Sequence, residues 1–128
     1  MTVKKFTFGK VVEPVEIGSK KYEVDFSDTT IEKRDEVLTK WQKEYAEFTD
    51  LDIEKLDIND QRMKLSHLRE IMREFVETVI GENTFDELYE MSGKSTINLL
   101  ELVQFLMEFI AEKSNKSADA VRSKYVKK

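Results

Sequence analysis

The apolar residues of this chain change their period once, at Ser27. Before it, in VEIGSKKYEVDF, Val15 and Ile17, then Tyr22, Val24 and Phe26, recur at every second position. That spacing puts them on one face of an extended strand. After it, apolar residues recur at intervals of three and four, the spacing of one helix face. Gly9, Pro14 and Gly18 lie in the first part, leaving only Gly81 and Gly93 for the rest. A chain of 128 residues with this division suits a single domain over residues 1–128. The expected fold class is mainly α: a small helical domain of four to five helices over 27–128, with an N-terminal β-hairpin arm over 1–26.

Within the arm, Gly18-Ser19 is a hairpin turn signal between the two alternating runs. Phe6 and Phe8 in KFTF are placed to start a third short strand. Pro14 has no N–H for a ladder, so its strand belongs at an edge. A lone hairpin is marginal in water. One of its faces must therefore rest on the helices or on another subunit.

The first helix is expected in SDTTIEKRDEVLTKWQKEYAEF, capped at Ser27 or Asp28, with Ile31, Leu38, Trp41, Tyr45 and Phe48 on one stripe. The acidic run TDLDIEKLDIND interrupts it or links it to the next. A second helix in QRMKLSHLREIMREFVETVI carries Leu65, Leu68, Met72, Phe75 and Val79, widened by Ile71, Val76 and Ile80. Gly81 ends it as a left-handed glycine. In TFDELYEMSG, Thr84 and Glu87 have the spacing of a capping box, with Phe85, Leu88 and Met91 facing inward. The fourth helix starts after Ser95, its N-cap, and ends near Lys113, and a short final helix from Ser117 carries Ala118, Val121 and Tyr125.

The fourth helix, STINLLELVQFLMEFIAEK, is the most apolar stretch, with ten hydrophobic residues among the fourteen from Ile97 to Ile110. At about 100° per residue, Leu99, Leu100, Leu102, Val103, Leu106, Met107, Phe109 and Ile110 sweep an arc of about 180°, where a surface helix needs about 100°. Ile97 and Phe105 intrude even on the polar side. The run is too short for a membrane span, and Glu101, Gln104 and Glu108 interrupt it. It is therefore a helix covered on at least two flanks, either sandwiched by its neighbours or left partly open for another chain. Apolar burial is worth about 25 cal/mol per Å2, so a large open patch calls for a partner.

Chemistry is sparse. There is no cysteine, hence no disulfide, thiolate nucleophile or cysteine zinc site. The only histidine, His67, sits at the border of the second helix's apolar arc. DLDIEKLDINDQ has alternating acids, but Lys55 stands where a calcium loop needs glycine and Gln61 where it needs a bidentate glutamate. GKST at 93–96 lacks the first glycine of a phosphate-binding loop, since Leu88 occupies that position. Glu101 and Glu108 lie on the wet side of their helix. No catalytic, cofactor or metal residue is expected, and the chain is not expected to be an enzyme. A net charge of −5 argues against general affinity for nucleic acid. MTVKKFTFGK has no apolar run behind its lysines, unlike a signal peptide. Charge is uneven: five lysines by residue 21, then six acids against Lys55 alone over 47–60. Such a division suits head-to-tail pairing between neighbours.

Two blocks carry a family resemblance. One is IGENTFDELYEMSGKSTINLLELVQFLMEFIAEK, a G-E-x-x-F-D-E-L-Y-E segment followed by a glycine break and an apolar N-L-L helix. The other is the arm ending YEVDFSD. Together they resemble the tail assembly chaperones of long-tailed siphophages and prophages of Gram-positive hosts. The resemblance implies a small helical protein that coats the long, apolar tape measure protein before the tail tube polymerises. It implies open, spiral homo-oligomers, release as the major tail protein assembles, a place in the bacterial cytoplasm, and absence from the mature virion. On that reading, Phe85, Leu88, Met91, Leu99, Val103, Leu106 and Ile110 would meet the tape measure protein. Val15, Ile17, Tyr22, Val24 and Phe26 would serve self-association. Alternatives are a small helical protein that binds DNA or a transcription regulator, and a tail component that stays in the virion. Residues 84–113 have a helix–break–helix outline, but Glu101 and Glu108 stand where a recognition helix would carry basic or amide side chains.

Overall fold

The apolar face of the hairpin is what joins the two halves of the chain. In the computed structural model, which describes the backbone of residues 2–125 and the side chains of 2–52 and 54–114, strands β1 (Val12–Ile17) and β2 (Lys20–Asp25) pair antiparallel. Val15 lies opposite Tyr22, and Pro14 opposite Glu23. Gly18 has φ +64 at the first position of the two-residue turn, a conformation that glycine enters at low cost. Val15, Tyr22 and Val24 are buried in the same core as the helices, with Ile17 and Phe26 half-buried against it. This corrects the expectation that these five residues form a face for self-association: the subunit's own helices cover it.

The expected third strand at Phe6 and Phe8 does not form. Residues 2–10 join no ladder, and Phe6 and Phe8 are 78% and 85% exposed. Pro14 confines β1 to an edge, and β1 has β2 as its only partner among the described residues.

Helix α1 (Asp28–Asp50) follows directly. Ser27 occupies the N-cap position, but its side chain makes no cap bond. Asp25 instead braces the turn into the helix, accepting from the Ser27 backbone N–H at 2.8 Å and the Thr30 hydroxyl at 2.9 Å. The stripe that α1 buries is centred on Arg34, Val37 and Trp41, while Tyr45 turns outward. The acidic linker contains one 3-10 turn, Ile53–Lys55. Its last acid starts helix α2 (Ile58–Ile80): the Asp57 carboxylate accepts the Asp60 N–H at 2.8 Å, so the helix begins three residues before the expected Gln61.

Helix α2 is the centre of the molecule. It buries Leu68, Ile71, Met72, Phe75, Val76, Val79 and Ile80, and it packs against α1, β2, α3 (Phe85–Met91) and α4 (Thr96–Tyr125). Gly81 closes it with φ +115 and ψ 155, outside the expected left-handed region but still a conformation for glycine. The left-handed residue here is Asn83, at φ 66.

No capping box forms at α3. The Thr84 hydroxyl donates to the Gly81 carbonyl at 2.7 Å, and the Glu77 carboxylate accepts the Phe85 N–H at 3.3 Å. Glu87 is recruited by the hairpin instead, bonding Lys20 and the Tyr22 hydroxyl. Gly93 (φ +78) and Lys94 (φ 56) make the break before α4, and Ser95 caps α4 by accepting the Asn98 N–H at 3.2 Å. α4 then runs unbroken to Tyr125, so the separate final helix from Ser117 does not exist. No glycine or proline lies between Thr96 and Tyr125 to stop it. The side chains of Ala118, Val121 and Tyr125 lie outside the described residues.

Candidate partner-binding surface

The buried stripe of α4 is narrow. Leu99, Val103, Leu106 and Ile110, spaced four, three and four residues apart, are all buried in the common core. Phe85 and Leu88 of α3 are buried in it as well. Six of the seven residues expected to meet a partner are thus core residues, and this is a correction. These side chains fill the subunit's interior, and Leu88, Leu99 and Val103 reach the clefts on either flank of α4 only as nearly enclosed floor residues. Met91 is the exception. It is 44% exposed because the six-residue step from Phe85 carries it off the buried face of a short helix.

The rest of the α4 arc is only partly covered: Leu100, Leu102, Met107 and Phe109 are half-buried against the edges of the core, and Ile97 and Phe105 are exposed. On one flank, an open groove of about 570 Å3 separates α4 from α1. Ile97, Leu100, Gln104, Phe105 and Met107 form its α4 wall, and Trp41, Gln42, Tyr45 and Ala46 its α1 wall, with Val103 also lining it. Ile97 is 71% exposed and Phe105 42%. Trp41 and Tyr45 stack with ring centroids 5.3 Å apart, which stiffens the α1 wall. Glu101 and Glu108 also line the groove, which has no lysine or arginine in its lining. Gln104 donates to the Glu108 carboxylate at 3.1 Å.

On the other flank, a second cleft of about 330 Å3 lies between the hairpin turn, α3 and α4. Ile17, Leu88, Met91, Leu99 and Leu102 line it, with Gly18, Ser19, Ser92 and Asn98, and it contains no charged residue. Met91 covers the turn closely: a Cβ on Gly18 would sit 3.3 Å from its sulfur. The cleft is held in shape by the Lys20–Glu87 ion pair and the 3.1 Å bond from Tyr22 to Glu87. Lys20 beside Glu87, reinforced by the Tyr22 bond, holds that carboxyl below its usual range. Burial, then the bond to Glu87 and its charge, push the Tyr22 phenol up to about 12. On α3's other side Arg73 donates to Asp86 at 2.8 Å and lies 4.7 Å over the Phe85 ring.

The groove residues Trp41, Tyr45, Ile97, Leu100, Phe105 and Met107, and Leu102 of the second cleft, lie outside the expected partner set. A signal existed for two of them. Ile97 and Phe105 sit on the polar side of α4, where no core accounts for them. His67 is a surface residue 3.3 Å from Glu44, and Lys94-Ser95 forms the break and cap before α4. Among the described residues no group of three or more histidines and acids is arranged to hold a metal, and no helix is long and apolar enough to cross a membrane. No protein-family model, curated protein or solved structure matches the chain.

Proposed function

We propose that this protein is a non-enzymatic tail assembly chaperone that covers the tape measure protein before the tail tube polymerises. The carrying observation is the pair of open apolar clefts flanking α4, a helix whose core stripe is already satisfied. Apolar side chains left partly uncovered on both flanks of one helix are a liability for an isolated subunit and an asset for one that sheathes another polypeptide. The uncharged cleft around Met91 suits an apolar helical segment, which docks through side chains at helical spacing. The resemblance of the 80–113 block to these chaperones supplies the identity of the client. On this reading the protein acts as a homo-oligomer in the bacterial cytoplasm and is missing from purified virions.

The test is co-expression with the tape measure protein and capture of the complex. Lysine is the substitution of choice at Met91, because a cation suits the C-terminal end of α3. Removing one buried methionine contact is worth about 1.5–3 kcal/mol, so M91K is expected to weaken capture by about tenfold or more, with helicity and melting temperature retained. Undiminished capture by a folded M91K chain contradicts the proposal.

A further inference from the structure

We infer that the α1–α4 groove binds residues 2–10 of a second copy of this chain. Those residues, TVKKFTFGK, carry three lysines and no acid. They form no strand, and they leave Phe6 and Phe8 in solvent, packed edge to face at 4.8 Å. The groove has the complementary chemistry: apolar walls, a stacked Trp41–Tyr45 pair, and Glu101 and Glu108 with no cation among its lining residues. Two aromatic side chains flanked by lysines can place the rings between the walls and the ammonium groups at the acids, a match of charge as well as polarity.

The partner is a second copy because of where the segment is rooted. The Phe26 N–H donates to the Val11 carbonyl at 2.6 Å, which ties the segment to the open end of the hairpin. There Glu13 lies 4.0 Å from Lys113, and the hairpin turn at the other end shares a cleft with Asn98 and Leu102. At about 100° per residue, Asn98, Leu102 and Lys113 share one flank of α4, and Leu100, Gln104 and Met107 lie on the other. Each chain thus presents its segment on one flank and its groove on the other, and none of residues 2–10 lines that groove in its own chain. Two different surfaces make a heterologous contact, which repeats head to tail into a ring or an open series rather than pairing as a closed dimer. The uncharged cleft remains free, so the inference holds whatever the client of that cleft.

Complementation between two full-length variants tests it. F6S/F8S removes the insert and keeps the groove; E101K/E108K keeps the insert and reverses the groove's acids. All four residues are exposed, and circular dichroism verifies the fold. By sedimentation velocity the unsubstituted chain is expected to exceed the monomer mass increasingly with concentration. Each variant alone is expected to associate about tenfold more weakly or not at all. Mixed, the two are expected to form a one-to-one complex and nothing larger, since only one productive contact remains. A monomeric parent chain, which is the result if the segment folds into its own groove, overturns the inference. So does a variant that assembles like the parent, or a mixture that stays monomeric.

Discussion

Asp25, Tyr22 and Glu87 join the hairpin to the helices, and all three have shifted pKa values, of which Asp25 and Tyr22 show the two signs. Asp25 accepts from Ser27 and Thr30, and chiefly the Ser27 backbone bond holds its carboxyl below the usual range. A lowered folded-state value means stability that is present above the unfolded value and lost as the pH falls through the folded one. Tyr22 acts in the opposite sense. Its proton is held more tightly in the folded state, at about 12 against an ordinary 10.0. The stability this contributes is complete below pH 10 and lost as the pH climbs from there toward 12, by at most about 1.4 kcal/mol per pH unit. Y22F removes that proton. Urea unfolding at mildly and strongly alkaline pH is expected to show a shallower fall in stability for Y22F than for the parent. Equal slopes would mean that Tyr22 does not titrate as its burial and its Glu87 partner require. Glu87, the third of these side chains, also explains a misreading at this scale. Its spacing from Thr84 is that of a capping box, but Lys20 and Tyr22 reach it first, from more than sixty residues away in sequence. A motif confined to four residues cannot register that competition.

At the scale of elements, what depends on neighbours in sequence was legible. The switch of period at Ser27 marks the boundary of α1, Gly18-Ser19 the turn, Gly81 the end of α2, and Ser95 the cap of α4. What depends on packing was not. The width of α4's apolar arc indicates that it meets something on more than one side, without saying which side meets the core. The centre of the fold is α2, which packs against α1, β2, α3 and α4. α4 encloses the Leu99–Val103–Leu106–Ile110 stripe in the core and leaves Leu100, Leu102, Met107 and Phe109 half-buried at its edges. That assignment has a stability consequence. Leu106 is fully enclosed, so L106A is expected to cost about 2–5 kcal/mol by transfer and cavity terms. Substituting the exposed Ile97 by alanine is expected to stay within about 0.5 kcal/mol. Chemical denaturation of the two variants separates the roles; an equal cost at both positions would place Ile97 in the core and close the groove.

At the scale of the whole molecule, α4 is a shared wall between two open sites of different character. One contains two glutamates and no cation, and the other contains no charge. Under the proposed function and the inferred self-contact, one flank would receive a lysine-rich segment of a neighbouring copy and the other an apolar client. A self-assembling sheath needs both contacts at once. On the proposed function, the partly open apolar surface of α4 and its surroundings is covered by another polypeptide, and methionine oxidation footprinting reads that coverage. Met91 is 44% exposed beside the client cleft, and Met63 is 68% exposed on α2, outside the lining of both clefts. In the complex with the tape measure protein, Met91 is expected to become protected while Met63 oxidises as in the free chain. Met91 oxidising equally fast in the free and complexed chains would contradict the account.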